Sequence, residues 1–427
     1  MTRVLRAGRT TFAALSVPNY RRYYSGQAIS LAGTWMQMTA QAWLVYHTLH
    51  STSTVLGVII ALQTLPVLLL GPYGGVIADR VDKRRLMIAL QSAMGLQALA
   101  LGLLTVTGQV TIVEVGVLAA VLGVNNAFEN PARQSFMMEL VGPAHLRNAV
   151  SLNSVLVNVA RSIGPAIAGV MIALVGEGWC FLLNAASFIA VVYSLASMDT
   201  SALAPTVPAR RARGQLREGL RYVRATPGLW VPLAMMALAG CLTYEFSVSL
   251  PVMAQRGLHA GAEGYGFMTA SMGVGAVLGG LFVAGRGRTG LRPLVLAACA
   301  FTVGMTFATL APVLALELVA LAIAGAASIS FMATGNSTLQ LTAEPDMRGR
   351  VMSLWFVAFQ GSTPLGGPLV GATMGAFGPR AGLGLGTVTI AVVALGGLIA
   401  LRRMTPGARP PAEPDPARGS AGRPAVV

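Results

Sequence analysis

Charge is scarce in this sequence. Asp, Glu, Lys and Arg make up 11% of its 427 residues, where a soluble domain carries about 25%. Beside a hydrophobic share of 54%, that deficit excludes an ordinary water-soluble domain and points to lipid as the solvent. Lysine is all but missing: Lys83 is the sole lysine among thirty basic residues. The net charge of +15 is therefore carried by arginine, and loops facing the cytoplasm account for it without a nucleic acid partner. Cysteine is scarce too, and Cys180, Cys241 and Cys299 stand far apart in apolar segments with no C-x-x-C pair. They read as small hydrophobes, not as redox or metal ligands. The four histidines fall near segment ends, away from cysteines and carboxylates, so no metal site is expected. No G-x-x-x-x-G-K-[ST], H-E-x-x-H or G-x-S-x-G is present, which argues against a fused ATPase, a zinc protease or a serine hydrolase. No enzyme activity and no cofactor are expected. A cleavable signal peptide is not expected either, because Arg21 and Arg22 interrupt the N-terminal apolar run.

What the chain does have is apolar stretches long enough to cross a bilayer, about 20 residues each, along its whole length. They predict an all-α integral membrane protein of twelve transmembrane helices. The first six cover residues 24–46, 54–78, 86–107, 110–130, 146–175 and 179–198. The second six cover 228–253, 263–284, 291–311, 313–337, 351–377 and 381–401. With a cytoplasmic N-terminus, 27 of the basic residues fall in inside segments, while Arg256 and Arg380 fall outside and Arg161 lies within a helix. Such an imbalance puts both termini in the cytoplasm. The domain plan is a six-helix bundle over 1–198, a basic linker over 199–227, a second bundle over 228–402 and a disordered tail over 403–427. Leu216, Leu220 and Val223 at helical spacing predict a short amphipathic helix in the linker, resting on anionic lipid.

Polar residues inside the predicted spans are the candidates for function. Gln37 and Gln41 lie one turn apart in the first span, with Gln27 in the same helix and Gln63 in the second. They either tie helices together or line a solute path. Arg161 lies mid-span in the fifth segment, where a charge must face a cavity or pair with an acid. Glu245 is the clearest acid within a span; it is either a proton carrier or a carboxylate in a wet outer mouth. Glu129 reads as a residue at a cytoplasmic helix end. Small residues recur every fourth position at Ala160, Gly164 and Ala168, and again at Gly367, Gly371 and Gly375, as closely packed helices require. The spacing from Ser151 to Gly164 is repeated from Ser353 to Gly366, a trace of an internal repeat that places a solute site between halves.

One loop concentrates the scarce charge: "GGVIADRVDKRRL", between the second and third spans. Gly75, Asp79, Arg80, Lys83 and Arg84 resemble the G-x-x-x-D-[RK]-x-G-[RK]-[RK] signature of the major facilitator superfamily at its usual place. "GTWMQMTAQAWLVY", "NPARQSFMMELV" and "LNSVLVNVARSIGPAIAG" resemble the bacterial exporter branch that includes the enterobactin exporter and macrolide efflux proteins. The resemblance implies two six-helix bundles rocking about a central cavity, driven by proton antiport. It implies that Asp79 touches the start of helix eleven near Arg348–Val351 and that Arg84 braces the loop. Gly164, Pro165 and Gly169 resemble the antiporter motif of helix five, with altered spacing. Asp82 stands where the signature has glycine, the second-half loop "GRGRTGLRP" lacks the acid, and helix one has no carboxylate. Glu245 is then the candidate proton site, and Gln37, Gln41, Gln63 and Arg161 the candidate cavity. The expectation is a monomeric secondary exporter of amphipathic small molecules such as drugs, siderophores or secondary metabolites. An importer of the same fold and a non-transporting sensor or assembly protein are the alternatives.

Overall fold

The computed structural model describes residues 12–203, 215–344 and 346–404, except for the side chains of 72, 75, 76, 78, 79, 215–217, 219 and 360. Among the described residues nine helices are long and apolar enough to cross a membrane. The helices are α1 (Pro18–Trp43), α2 (Ser53–Arg80), α3 (Lys83–Val106), α4 (Ile112–Val175) and α5 (Glu177–Ala196). After the linker helix α6 (Gln215–Ala225) come α7 (Pro227–Leu242), α8 (Phe246–Val252), α9 (Gly261–Arg286) and α10 (Leu291–Leu310). The last are α11 (Leu314–Thr342), α12 (Arg348–Gln360), α13 (Thr363–Phe377) and α14 (Arg380–Met404).

Large apolar side chains such as Leu103, Val113, Leu174, Ile189, Leu281 and Phe377 stand at least half exposed on the outer surface. A soluble protein would bury or aggregate through such a surface, whereas lipid accepts it. Polar residues in α1 keep it below the hydropathy of the other spans, yet its Gln27, Gln37 and Gln41 are all buried.

Three sequence expectations need correcting. The fourth and fifth segments are two helices within α4, 112–141 and 143–175, separated only by Gly142, whose φ of 65° and ψ of 176° break the helix there. Pro131 had suggested an end near residue 130. Instead the helix runs through it, and Glu129 is a buried residue within the helix, paired with Arg133 at 3.2 Å. The seventh and eleventh segments are not continuous either. The linker helix α6 does form, but Val223 is fully buried against the protein in a cluster with Leu229, Leu339 and Val351, where a lipid contact was expected. Glu218 holds Arg350 at 2.7 Å, tying α6 to the start of α12. The rest of the linker, 204–214, and the tail from 405 lie outside the described residues.

Helices α1–α5 pack on one another, as do α7–α14, and two seams join these halves: α2 against α13, and α4 against α9. Both seams are built on glycine, and both lie toward the end remote from the start of α1. The carbonyl of Gly57 lies 3.0 Å from where a Cβ on Gly367 would sit, and Ser53 donates its hydroxyl to the Gly371 carbonyl at 2.6 Å. In the other seam a Cβ on Gly169 would come 3.0 Å from Gly266 Cα.

Candidate functional site

The signature loop is held by contacts on three sides. Asp82 caps α3 by accepting the Arg85 amide at 2.9 Å, which explains how the turn forms without the signature's glycine. Lys83 reaches Glu139 at 2.7 Å with both side chains largely buried. Arg84 donates to the Leu195 and Ala196 carbonyls at 2.7 and 2.6 Å, covering the C-terminal end of α5. Arg80 is exposed. The side chains of Gly75 and Asp79 lie outside the described residues, so the contact expected of Asp79 with Arg348–Val351 is not described. Arg350, in that stretch, is held by Glu218.

The glutamines gather within the first half. Asn184 donates to Gln37 at 2.7 Å, Gln37 donates to Gln97 at 3.0 Å, and Gln97 reaches the Leu118 carbonyl at 3.4 Å. Gln37, Gln41 and Gln63 line a cavity of about 50 Å³ beside this chain, room for a water or two and far too small for a drug-sized solute. Gln37 thus acts here as a tie between helices. Arg161 is not among these residues. Gly164 packs on α1 near Trp35, while Gly169 packs on α9, so the helix-five motif serves one contact inside the half and one across the seam.

Glu245 lies where two broken helices meet. Thr243, Tyr244 and Glu245 separate α7 from α8, and Gly361 and Ser362 separate α12 from α13. The interruptions adjoin: Cys241 Sγ is 3.8 Å from the Ser362 carbonyl, and a Cβ on Gly240 would come 2.7 Å from that of Phe359. Irregular backbone at this depth is tolerated only where protein buries it or it borders a cavity. The Glu245 side chain is buried and bonded to Thr363, while its Oε1 has no partner among the described residues. A Cβ on Gly366 would lie 2.8 Å from Oε1, and one on Gly367 would lie 3.6 Å from Oε2. Because Gly367 also touches Gly57, the carboxyl sits directly behind the seam between the halves.

Tyr244 turns the other way, donating its hydroxyl to the Ser328 carbonyl at 2.7 Å. Its ring meets Phe359 edge-on at 4.8 Å, and Phe359 stacks on Trp355 at 5.7 Å with the planes 2° apart. Arg161 crosses from α4 to within electrostatic reach of Tyr244. Its guanidinium donates to Asn158 at 3.2 Å, and among the described residues it forms no ion pair. The repeat relates the two sites: Arg161 follows Ser151 by the interval at which Thr363 follows Ser353.

This architecture matches known proteins. The model of a family described as "Transmembrane secretion effector" matches residues 9–416. The chain belongs to this family of major facilitator transporters. The relatives matched along nearly their whole length are themselves an efflux pump and an exporter. The chain is similar to the multidrug efflux pump Tap of Mycolicibacterium fortuitum, 28% identical over 85% of this chain and 92% of that protein. It is similar to the enterobactin exporter EntS of Shigella boydii, 26% identical over 90% and 93%. The staphyloferrin A transporter of Staphylococcus aureus is 34% identical over 40% of this chain, and the match spans 44% of that protein, under half its length. Among solved structures, the fold resembles that of a bacterial homologue of the lysosomal transporter Spinster in an inward-facing, unoccupied conformation. The TM-score is 0.71 at 14% identity, covering 90% of this chain and 97% of that one.

Two features of this facilitator were missed in the sequence. Glu317, in the first turn of α11, is fully buried, and neither carboxyl oxygen has a hydrogen-bond partner among the described residues. Its position near a predicted span end had masked its burial. His47 and His259, expected to lie apart from carboxylates, share a cleft of about 560 Å³ with Glu177 and Glu263. Among the described residues no group of three could hold a metal ion.

Proposed function

We propose that this facilitator is a proton-coupled exporter of amphipathic small molecules, working by alternating access in a bacterial inner membrane. Twelve crossings follow if α4 counts as two spans on either side of Gly142, and if α7 with α8 and α12 with α13 each count as one. The basic loops favour cytoplasmic termini, and with that orientation the seams lie on the outer side. This is the arrangement in which a solute enters from the cytoplasm. Efflux proteins among the relatives favour export.

The observation that carries the reading is the place of Glu245, buried behind the contact of Gly57 with Gly367. Separating the halves at that contact admits outside water to the carboxyl, and closing it again excludes water. A carboxyl whose hydration alternates with the transport cycle exchanges its proton on opposite sides of the membrane. In this reading Glu245 takes a proton from outside as solute leaves, then releases it inward before the next solute binds. Asp79 is the residue for the cytoplasmic latch of the opposite state, against the start of α12.

The test uses proteoliposomes with an imposed pH gradient and two xanthene dyes as solutes, anionic fluorescein and cationic tetramethylrosamine. Wild-type protein should move at least one dye at a rate set by the gradient. Glu245→Gln should remove the gradient dependence while leaving exchange at equal pH. Unchanged dependence in Glu245→Gln would refute its role as the carrier.

A further inference from the structure

Arg161 is the one described basic residue in the interior between the halves that lacks both an acid and a helix end to cap. Among the other described residues the inward-turned basic groups are spoken for. Lys83 has Glu139, Arg133 has Glu129, and Arg350 has Glu218. Arg84 and Arg380 are spent on the last carbonyls of α5 and α10. Arg161 has a single bond to Asn158, three residues earlier on its own helix, so most of its five N–H donors are unmatched. Glu245 does not supply the missing charge: its carboxyl is bonded to Thr363 and faces the α2–α13 seam.

A half-buried guanidinium without a counter-charge is costly at membrane depth. Its surroundings say what would match it. On one side is the face of α9, where a Cβ on Gly273 would lie 2.7 Å from Ser162 Oγ and 3.1 Å from the Arg161 carbonyl. On another is Tyr244, the first ring of a run that continues through Phe359 to Trp355. A fixed cation thus stands at one end of an aromatic surface extending along α12. Guanidinium forks bind planar oxyanions in bidentate fashion, and aromatic surfaces take flat apolar bodies.

From this juxtaposition we infer that the solute is an organic anion with an aromatic body. Its carboxylate or other planar oxyanion lies on Arg161, and its rings lie along Tyr244, Phe359 and Trp355. The inference rests on the transporter reading for the place of the site, and it adds the sign of charge and the kind of body the site accepts. It also predicts an order of affinities: neutral molecules of the same shape bind less well than the anion, and cations less well still.

The experiment is equilibrium binding to the full-length protein in nanodiscs, followed by dye anisotropy, with fluorescein and tetramethylrosamine as shape-matched anion and cation. Fluorescein should bind saturably and more tightly than tetramethylrosamine. Arg161→Gln should weaken fluorescein about tenfold or more, the loss expected when charge-assisted bonds to an anion are removed. Arg161→Lys should retain an intermediate affinity, since it keeps the charge but not the fork. The thermal midpoints of both variants show that they are folded. Absence of saturable fluorescein binding, equal fluorescein affinity in wild type and Arg161→Gln, or tighter binding of the cation would each overturn the inference. Binding and transport fail separately. If the anion binds through Arg161 but neither dye is moved, the transport reading falls and this one stands. If only tetramethylrosamine is bound and moved, the reverse holds.

Discussion

Adding one methyl group at Gly57 should open the outer seam. A Cβ there would press on the Gly367 carbonyl, lying 2.5 Å from its carbon and 2.8 Å from the nitrogen of Pro368. These are backbone atoms of α13 and cannot rotate away. Carbon atoms pack comfortably at about 3.5–4.0 Å, so the two helices must separate by about 1 Å locally. Overpacking of this kind costs about 1–3 kcal/mol. Because the contact exists only while the seam is closed, the penalty falls on that state alone. The ratio of closed to open molecules should then drop by roughly 5- to 150-fold in Gly57→Ala. Spin labels at Val113→Cys and Val313→Cys, exposed sites at the closed end of each half, report the separation by pulsed dipolar spectroscopy. Cys180, Cys241 and Cys299 are first replaced. The longer-distance population should grow in Gly57→Ala. Gly71→Ala is the control on the same helix, because nothing lies within 4 Å of its Cβ position. A folded Gly57→Ala protein with the wild-type distance distribution would refute the seam as the outer gate.

Two further outcomes follow from the buried charges. Lys83→Met should lower stability by about 1.5–3 kcal/mol, because it removes a charge-assisted bond between two largely buried side chains; the double variant Lys83→Met/Glu139→Gln should recover part of the loss, and a single variant that melts with wild type in detergent would show the pair to be dispensable. Glu317→Gln should leave gradient-dependent dye transport intact, since Glu317 sits in the first turn of α11 within electrostatic reach of Arg380 and is not the carboxyl behind the Gly57–Gly367 contact; loss of coupling in Glu317→Gln but not in Glu245→Gln would transfer the proton role to Glu317.

The helical membrane architecture was legible because lipid imposes a simple rule: backbone polar groups must be satisfied within each segment, so spans read as long apolar runs. The signature loop was legible for a related reason, as clustered charge is conspicuous in a chain this apolar. What could not be read were the contacts that give these residues their partners. Glu139 lies 56 residues from Lys83, and nothing local links them. That the first helix of α4 runs past residue 130 was also hidden, because Pro131 carries the same local meaning in a helix end as in a tolerated interior turn. The breaks on either side of Glu245 were hidden for the opposite reason. Thr243, Tyr244, Gly361 and Ser362 are residues that helices also carry in their interiors, so nothing local marks the breaks where α7 packs against α12 and α13.

The row Gly367, Gly371 and Gly375 had suggested close packing and nothing more. In the structure it runs along the Ser53–Gly57 turn of α2, and its first member touches both that turn and the Glu245 carboxyl. One glycine therefore couples a contact between halves to the hydration of a buried acid. A larger residue at Gly367 would push against Gly57 and crowd the carboxyl at once, so gate and proton site cannot be altered independently there. Gly371 offers the separation: its Cβ would meet Ser53 and Thr54 alone. Substitution at Gly371 should disturb the gate while leaving the immediate surroundings of Glu245 as they are. In the proposed antiport cycle, that physical adjacency would let one conformational change move a solute and a proton in opposite directions.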